Sequence, residues 1–515
     1  MHQNEPSRIV MFSAEAAPFA KDGGMGDVVG ALPKALGKLG LDPAVVIPAY
    51  RATLRGEQFE IRPCRTVAGF DVQMGDATER ADIYQTRLRD AGVDVYLIGS
   101  GKYFDRAGIY NDPNSGEGYW DNAVRFLFFM KAGLELLPRL KRPVDILHCH
   151  DSHTALIPAL VRLNYAGLPF YRRVGTLFTI HNLAYQGIYP KGVLHHAGID
   201  PAHFYPMSPF EYWDKVNFMK AGILMADKVN TVSQTYAAEI MGSREFGHGL
   251  EGVLESRRMD VSGIVNGIDY EEWNPEKDPL IPANYSAGDL SGKAVCRDHL
   301  RRHFGLPRPA GRTPLVGMVS RLADQKGFDL VAEAAPQIAA LGLQLVILGV
   351  GQRHYHETLR ELALRHPGTI AVHLAFDNAL AHLIEAGADM FLMPSRYEPC
   401  GLSQLVSLRY GTIPVVRATG GLADTVAPYT GEGGTGFLFR EYSAGAMLGA
   451  LRGALDAFAD ADSWQALVQR AMREDWSWNR SAESYRALYR SIHRGNHPEI
   501  GAASGVRSGG SHEGS

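Results

Sequence analysis

Cysteines are scarce in this sequence, and none of them is spaced as a metal-binding or redox pair. The chain has four, Cys64, Cys149, Cys296 and Cys400, with no Cys-x-x-Cys spacing. Disulfide frameworks and structural zinc sites both require clustered or regularly spaced cysteines. We therefore expect reduced thiols in a cytoplasmic protein, which excludes a secreted disulfide scaffold and a zinc domain.

Long apolar runs and an excess of positive charge are also missing. No stretch of about 18 apolar residues is present to span a bilayer. The segment "IVMFSA" near the start is too short for a secretory core and is soon followed by Glu15. The formal net charge is -4, the isoelectric point is about 6.6, and lysine and arginine form no cluster. Nucleic acids and membranes are therefore not expected partners, and we predict a soluble, intracellular chain.

What the sequence does contain is an alternation of short apolar strands and helical segments. Its 515 residues, 45% of them hydrophobic, are enough for two to four domains. Strand, loop and helix repeat in the first half and start again near 259–269, which predicts parallel sheets covered on both faces. The expected fold class is α/β with two facing, doubly wound, Rossmann-like domains at 1–261 and 262–480. The Gly/Ser-rich tail at 499–515 is expected to be disordered.

Polar clusters follow most of the predicted strands, in both halves of the chain. Ligands of such parallel sheets bind outside the carboxyl ends of the strands, so we expect a site in the cleft between the two domains. The loop "KDGGMGDVV" after the first strand has a near copy, "TGGLADTV", at 419–426. Two similar domains would carry equivalent loops at equivalent strand ends; chance agreement of common residues is the alternative.

Two groups of residues are candidates for contact with an anionic substrate. Lys21, Gly23 and Gly24 precede a predicted helix whose first amides suit a phosphate, unless the glycines serve only a tight turn. Arg321 and Lys326 follow a strand of the second half, where two cations would oppose the growing charge of a leaving diphosphate. A surface ion pair is the ordinary alternative for such a pair of cations.

Two further strand ends carry groups suited to contact with a sugar. Glu398 follows the strand "ADMFLM", and "CGLSQ" opens a helix just behind it. Helix amides would point at phosphate while the carboxylate sits beside a reacting sugar; a capping carboxylate is the alternative. His181 ends another strand, where a ligand contact competes with a purely structural role.

The run "HCHDSH" suggests a different function. His148, His150, Asp151 and His153 follow a strand with a spacing that suits a catalytic metal. No second constellation of Asp and His residues completes a dinuclear centre. We therefore favour polar groups that line a cleft and keep a metal-dependent hydrolase as the alternative.

Nine motifs together resemble one known family. They run from about residue 8 to about residue 490 and read "KDGGMGDVVGALPKAL", "YFDRAGIY", "GYWDNAVRFLFF", "TIHNLAYQG", "GIVNGIDYEEWNPEKD", "SRLADQKGFDL", "ADMFLMPSRYEPCGLSQL", "RATGGLADTV" and "DWSWNRSAESYRALY". With them the chain resembles bacterial glycogen synthases and plant starch synthases, glycosyltransferases of the GT-B fold. The resemblance implies transfer of glucose from ADP-glucose to the non-reducing 4-hydroxyl of glycogen or a maltooligosaccharide. It also implies no cofactor or metal, allows a homo-oligomer, and predicts a last helix at 481–498 that returns to the first domain.

The resemblance assigns roles to individual positions. Glu398 would face the glucosyl carbon, and His181 would meet hydroxyls of the same sugar. Arg321 and Lys326 would stabilise the leaving diphosphate, which completes the implied catalytic set. The implied nucleotide-sugar-binding set is Lys21, Gly23, Gly24, Asp27, Asp151, Asn266, Cys400, Gly401, Leu402, Thr419, Gly420 and Gly421.

Four positions depart from the usual pattern of that family. Ser152 stands where a Trp usually follows the His-Asp pair, which alters one apolar wall of the acceptor side. Asp22 and Met25 replace the commoner Thr or Val and Leu of the glycine loop, and an acidic Asp22 suits a phosphate site only if it points away. Val406 stands where the wider GT-B pattern has a second Glu, which the synthase branch generally lacks too.

Donor and product bonds are both α in this family, so the implied reaction retains configuration. Glu398 would act either as a nucleophile or as a charge stabiliser for attack from the front face. We favour the second role, with the leaving phosphate accepting the proton of the acceptor hydroxyl. A UDP-glucose-dependent α-glucan or sucrose-type synthase is the alternative within the class. A glucan-binding module without catalysis is a third hypothesis.

Overall fold

The computed structural model describes residues 7–88, 91–309 and 311–492. The predicted tail at 499–515 and the end of the predicted last helix, 493–498, lie outside these ranges. Within them, no helix has both the length and the apolar character needed to cross a membrane.

The described strands fall into two series along the chain. The first series is β1 (Arg8–Phe12), β2 (Asp42–Pro48), β3 (Arg62–Pro63), β4 (Gly69–Met74), β5 (Ala77–Arg87), β6 (Asp94–Gly99), β7 (Ile146–His150), β8 (Gly175–Ile180), β9 (Ile188–Pro190), β10 (Glu211–Tyr212), β11 (Lys215–Asn217), β12 (Lys228–Thr231) and β13 (Val261–Gly263). The second series is β14 (Leu315–Val319), β15 (Gln344–Leu348), β16 (Ile370–His373), β17 (Met390–Met393), β18 (Ile413–Arg417) and β19 (Phe437–Phe439).

The described α-helices divide in the same way. Those of the first half are α1 (Gly24–Lys38), α2 (Arg51–Arg55), α3 (Asn122–Arg139), α4 (Ile157–Leu163), α5 (Val193–Ala197), α6 (Phe218–Met225), α7 (Gln234–Gly242), α8 (Arg244–Gly247) and α9 (Glu251–Glu255). Those of the second half are α10 (Ser291–His303), α11 (Phe328–Ala340), α12 (Arg353–Arg365), α13 (Asn378–Gly387), α14 (Ser403–Arg409), α15 (Gly420–Thr425), α16 (Ala444–Ala459), α17 (Ala461–Arg473) and α18 (Trp478–Ser491).

The first half forms one large sheet with β1 near its centre. The strand order β13-β12-β8-β7-β1-β2-β6 is parallel throughout, and β5 then pairs antiparallel with β6, β3 and β4. A separate small sheet of order β10-β11-β9 lies within the same half. The short apolar runs of the sequence are the parallel strands, because both faces of such a strand are buried.

The second half forms a sheet of order β16-β15-β14-β17-β18-β19, parallel at every junction. The strand order changes direction at β14, with β15 and β16 on one side of it and β17, β18 and β19 on the other. At such a point the connections after adjacent strands run to opposite sides of the sheet, which leaves a crevice at the carboxyl ends of β14 and β17. The α/β class and the two doubly wound domains are therefore confirmed.

Helix α1 shows how the sequence fixes the elements that carry the site. Val28, Leu32 and Leu36 recur at helical spacing and are completely buried against the sheet. The helix ends before Gly40, whose φ of +83° is a left-handed conformation that a residue with a side chain rarely adopts. The strand, glycine loop and helix predicted from the sequence are all present.

Two core clusters cover the two faces of the first sheet, and a third fills the second domain. Alternate residues of β1 belong to opposite faces: Val10 and Phe12 pack in one cluster, Ile9 and Met11 in the other. The strands are thus packed on both faces. The residues that directly follow them are therefore held in fixed positions.

Helix α18 starts three residues earlier than the predicted last helix and packs on the first domain. Its Ser481 hydroxyl donates to the carbonyl oxygen of Val265 at 2.6 Å, and Tyr489 lies in the same core cluster as α1. Strand β13 pairs with β12, so the chain leaves the first sheet only after Gly263. The predicted divide at 261/262 thus falls inside the last strand of the first sheet.

Candidate active site

Loops from the two domains meet where the parallel strands of both sheets end. A Cβ atom built on Gly24 of the first domain would lie 3.5 Å from Leu402 Cδ1 of the second. Arg321, beyond β14, donates from Nη2 to the hydroxyl oxygen of Tyr185, beyond β8, with a nitrogen–oxygen distance of 3.3 Å. The structure therefore brings the predicted strand-end groups of both domains to one interdomain cleft.

The first glycine loop is tied down by a carboxylate that the motif does not contain. Glu15, only 3% exposed, accepts hydrogen bonds from the backbone amides of Asp22 and Gly23 through Oε2, at 2.6 and 2.9 Å. Tyr110 donates its hydroxyl to Oε1 at 2.5 Å. Burial raises the pKa of Glu15 above its ordinary value, and the two amides and Tyr110 oppose that rise.

Lys21 stands at the exposed end of this loop. Its Nζ pairs with Asp27 Oδ1 at 2.6 Å, and its side chain remains 48% exposed. Asp22 is exposed too, and its contact with the loop is made by its backbone amide, which donates to Glu15. Its carboxylate is therefore not required to face a ligand. Gly23 already donates to Glu15, so a phosphate would meet Lys21 and the start of α1 at Gly24.

Glu398 and Lys326 form the most buried ion pair of the cleft. Lys326 Nζ lies 2.7 Å from Glu398 Oε2, with side chains 20% and 7% exposed. The hydroxyl of Ser395 donates to the same oxygen at 3.0 Å. Lys326 reaches this position because Gly327, at φ +74°, turns the chain against Pro394 before α11. The predicted cation and the predicted sugar-facing carboxylate are thus direct partners.

The loop behind Glu398 is held by a side chain that sequence reasoning did not single out. Gln404 Nε2 donates to the carbonyl oxygens of Cys400 and Gly401 at 2.9 and 3.0 Å. Gly401 has φ +72°, and Leu402 precedes α14. Burial raises the pKa of the Cys400 thiol to about 12, so it stays protonated. Its predicted role is confined to backbone and neutral contacts.

Asn266 lies beside this loop on the segment that joins the domains. It is 4% exposed, and its Oδ1 has no hydrogen-bond partner among the described residues. A buried acceptor of this kind is costly unless a donor reaches it. The atom is therefore suited to accept a hydroxyl hydrogen from a bound ligand.

Asp151 and His181 stand together at the ends of β7 and β8. Asp151 Oδ1 accepts the backbone amide of His181 at 2.7 Å, and Asp151 itself has φ +55°. Burial raises the pKa of Asp151 to about 7 and lowers that of His181 to about 3. His181 is therefore a neutral imidazole, a hydrogen-bonding group and not a cation.

The histidines of "HCHDSH" have separate partners. His148 is buried between Tyr489 OH, 2.9 Å from Nδ1, and Thr179 Oγ1, 2.6 Å from Nε2. His150 Nδ1 lies 2.9 Å from His181 Nε2, and His153 packs against aromatic rings. Among the described residues, no three His, Cys, Asp or Glu side chains are grouped so as to hold a metal ion. The run does not assemble the ligand set that a metal-dependent hydrolase requires.

The second glycine loop is also occupied by a carboxylate. Glu239 of α7 accepts from Thr419 Oγ1 at 2.9 Å and from the Gly420 amide at 3.1 Å. The Gly421 amide donates to the Glu398 carbonyl oxygen at 3.1 Å. The expected phosphate contacts of this loop stay a prediction, and its donors are already used within the protein.

The two loops resemble each other in structure as well as in sequence. Each glycine pair begins a helix, α1 or α15, and each helix start receives a carboxylate, Glu15 or Glu239. Neither carboxylate lies inside a motif. Glu15 had one sequence signal, a charged residue directly after a buried strand, and Glu239 had none.

An open cavity of about 480 Å³ lies in the first domain, lined by residues that follow Asp151 and His181 in the chain. Tyrosine side chains and polar groups surround it, and Ser152 is part of its wall. Its lining residues are Ser152, His153, Ala184, Tyr185, Gln186, Gly187, Ile188, Tyr189, Tyr212 and His248. Such a mixture of aromatic faces and hydrogen-bonding groups suits a carbohydrate.

An exposed aromatic ring follows β16 at the same edge of the second sheet. Phe376 is 85% exposed, and sequence reasoning did not select it. Arg321 follows β14, two strands away in the same sheet. An exposed flat apolar face beyond a strand of this sheet is suited to stack on a nucleobase.

Comparison with known proteins gives a consistent result over nearly the whole chain. Residues 8–256 match the family model described as starch synthase catalytic domain, and residues 305–466 match glycosyl transferases group 1. A glycogen synthase of Syntrophotalea carbinolica is 46% identical over 94% of this chain and 98% of its own length. Glycogen synthase 2 of Geobacter sulfurreducens is 45% identical, again over 94% and 98%.

Solved structures show the same likeness. The catalytic domain of starch synthase IV from Arabidopsis thaliana, bound to ADP and acarbose, superposes with a TM-score of 0.86 at 34% identity. That match covers 94% of this chain and 99% of the other. A sucrose-phosphate synthase from Thermosynechococcus elongatus, at 18% identity and a TM-score of 0.57, shares the fold.

Proposed function

Because the chain belongs to the family of starch and glycogen synthases, we propose that it transfers glucose from ADP-glucose to the non-reducing 4-hydroxyl of an α-1,4-glucan, releasing ADP. The observation that carries this proposal is the buried Lys326–Glu398 pair, set in a cleft whose other wall holds Asp151 and His181. The near full-length match to glycogen synthases and the related structure with ADP and acarbose support the same chemistry.

The donor diphosphate is assigned to the cationic part of the cleft. Arg321 is exposed there, Lys326 is paired with Glu398, and Lys21 is half exposed on the first domain. Charges placed in advance where negative charge develops give the largest single contribution to most such reactions. We assign Phe376, exposed beyond β16, to stacking on the adenine base. These cations make a resident metal unnecessary in the proposed reaction.

The acceptor glucan is assigned to the 480 Å³ cavity of the first domain. Tyr185 belongs to its lining and also contacts Arg321, so the cavity opens towards the donor cations. The terminal glucose unit of the acceptor would thus lie next to Asp151 and His181. Sugar rings stack on tyrosine faces while their hydroxyls bond to the polar lining.

In the proposed step, the acceptor 4-oxygen attacks the anomeric carbon from the face that the diphosphate leaves. The bond from that carbon to phosphate oxygen breaks, and the proton of the acceptor hydroxyl passes to the phosphate. The Glu398 carboxylate stabilises the positive charge of the sugar. Lys326, which pairs with Glu398, stabilises the negative charge of the departing phosphate. Neutral His181 and Asn266 Oδ1 bond to sugar hydroxyls without adding charge. Configuration is retained.

Replacement of one carboxylate oxygen tests the assignment of Glu398. Glu398→Gln keeps the shape and one acceptor but removes the charge, and it should lower kcat for transfer from ADP-glucose to maltooligosaccharide by about 100-fold or more. Glu333→Gln, on the exposed face of α11, is the matched control and should retain wild-type activity. Unchanged transfer by Glu398→Gln would show that this carboxylate does not stabilise the reacting sugar.

A further inference from the structure

Helices α7 and α15, one from each domain, lie side by side and bond to each other's ends. Thr235 near the start of α7 is opposite Asp424 of α15, and Glu239 is opposite Gly420 at the start of α15. Thr235 comes four residues before Glu239 in α7, whereas its partner Asp424 comes four residues after Gly420 in α15. The two helices therefore run antiparallel. We call this four-residue arrangement the interdomain clasp.

Each carboxylate of the clasp accepts the first amides of the other helix. Asp424 accepts the Thr235 amide at 3.0 Å and its hydroxyl at 2.5 Å. Glu239 accepts the Gly420 amide through both oxygens at 3.1 Å. Carboxylates at helix N-termini satisfy orphan amides and complement the helix dipole. The contact is therefore reciprocal capping across the domain boundary.

The α15 end of the clasp rests directly on the loop that carries Glu398. The Gly421 amide donates to the carbonyl oxygens of Glu398 and Pro399, each at 3.1 Å. A Cβ atom built on Gly420 would lie 2.0 Å from the Glu398 carbonyl oxygen, which is closer than any real contact. Backbone packs on backbone with no intervening side chain. A shift of Gly420 is therefore passed to Glu398.

We propose that Glu239 of the first domain is a positioning residue that holds Glu398 of the second domain in its reactive place, acting through Thr419, Gly420 and Gly421. This inference rests on the proposed glucosyl transfer and assigns to it a residue outside every motif. It also makes the reactive placement of Glu398 depend on how the two domains are joined.

The contacts favour positioning over competition with the donor phosphate. Thr419 is only 1% exposed, and Gly421 is engaged by Glu398 and Pro399. Helix α15 has six residues, so its dipole is small. A carboxylate that only reserved a phosphate site would need accessible donors. These donors are buried in the loop that they support.

The test compares two variants of Glu239. Oε1 accepts from both Thr419 and Gly420, so Glu239→Gln, with its carbonyl oxygen at that position, retains one bond to each and loses only the Oε2 bond to Gly420. It should keep kcat within about threefold of wild type. Glu239→Ala removes them and should lower kcat by about 10- to 100-fold, with both KM values within about threefold. Thermal unfolding of each variant establishes that it is folded, and wild-type transfer from ADP-glucose must be present before the comparison is made.

The same change in a Glu398→Gln background separates positioning from general damage. If Glu239 acts through Glu398, adding Glu239→Ala should lower the residual kcat by less than about twofold. Asp424→Ala loosens the other half of the clasp and should lower kcat in the same direction, which keeps the test open if Glu239→Ala does not fold.

Three results would overturn the inference. They are an unchanged kcat in folded Glu239→Ala, a full additive loss in the double variant, and a lower KM for ADP-glucose in both Glu239 variants. The last would mean that the carboxylate competes with the donor phosphate. Absence of transfer in the wild type would instead overturn the proposed function and leave the clasp as a contact between domains.

Discussion

Replacement of Lys326 by methionine should destabilise the second domain strongly. Lys326 is the cation that compensates Glu398, and the two side chains are only 20% and 7% exposed. Removing one partner of a buried pair leaves an uncompensated charge and costs about 3–5 kcal/mol. Methionine has a similar length and fills the space of the lysine stem, so the change isolates the charge.

The magnitude converts to a shift that thermal unfolding measures easily. For a domain of 150–250 residues, each 1 kcal/mol moves Tm by about 2–4 °C, so a loss of 3 kcal/mol corresponds to about 6–12 °C. Adding Glu398→Gln removes the buried charge itself and should restore most of the loss, because neutral replacements of buried pairs are well tolerated. Differential scanning calorimetry of both variants provides the comparison.

A surface ion pair of the same chain is the control. Lys191 and Asp214 are 2.9 Å apart but 57% and 77% exposed. Such a pair contributes about 1 kcal/mol or less, so Lys191→Met should move Tm by about 4 °C or less. A Lys326→Met shift as small as that of Lys191→Met would refute the reasoning. So would a double variant no more stable than Lys326→Met.

Three further predictions concern the donor, the acceptor and pH. Phe376→Ala should raise the KM for ADP-glucose about tenfold and leave the acceptor KM unchanged, since stacking on one base is worth about 1–3 kcal/mol; equal effects on both substrates would contradict a base contact. Ser152→Trp should lower the KM for maltooligosaccharide about fivefold, because about 40 Å² of added apolar contact is worth about 1 kcal/mol; an unchanged acceptor KM in steady-state assays would remove Ser152 from the acceptor wall. Burial raises the pKa of Asp151 from 3.8 to about 7, so the folded state binds this proton more tightly than the unfolded state, and the free energy of unfolding falls as pH rises between these two values. Asp151→Asn should make Tm less dependent on pH in this range and should be more stable than wild type at pH 8. Curves of Tm against pH that run parallel for the two proteins would contradict the raised pKa.

Strand periodicity and strand-end polarity were enough to predict the two sheets and the cleft between them. Parallel strands bury both faces, so their apolar runs and the polar residues that follow are visible without knowledge of tertiary contacts. Lys326, Glu398 and His181 were found in this way, and the structure brings them to one cleft. Their mutual distances were not predictable, because the pairing of Lys326 with Glu398 depends on the turn at Gly327.

The carboxylates that organise the glycine loops were missed for a physical reason. Glu15 and Glu239 bind backbone amides of loops that lie far from them in sequence or on another element, and an amide leaves no mark in the residue pattern. The resemblance to the family implied nucleotide-sugar contacts at the second glycine loop as well. In the structure, donors of that loop serve Glu239 and the Glu398 backbone, and the implied contacts stay a prediction.

The domain boundary shows a third limit of the sequence. Strand β13 is short and contains two small polar or flexible residues among three, "VSG", so it does not stand out from a linker. Its parallel pairing with β12 places it in the first sheet. The start of α18 was also not predictable, because the preceding residue, Ser477, is held by a bridge to Ile268 far away in the sequence.

Transfer of radiolabelled glucose to glycogen from ADP-glucose and UDP-glucose, measured in parallel with a chelator present, tests the central claim most directly. The proposed function predicts incorporation from ADP-glucose that the chelator does not abolish and that exceeds incorporation from UDP-glucose. Preferred use of UDP-glucose would contradict the donor assignment alone. No incorporation from either donor would contradict the proposed function itself.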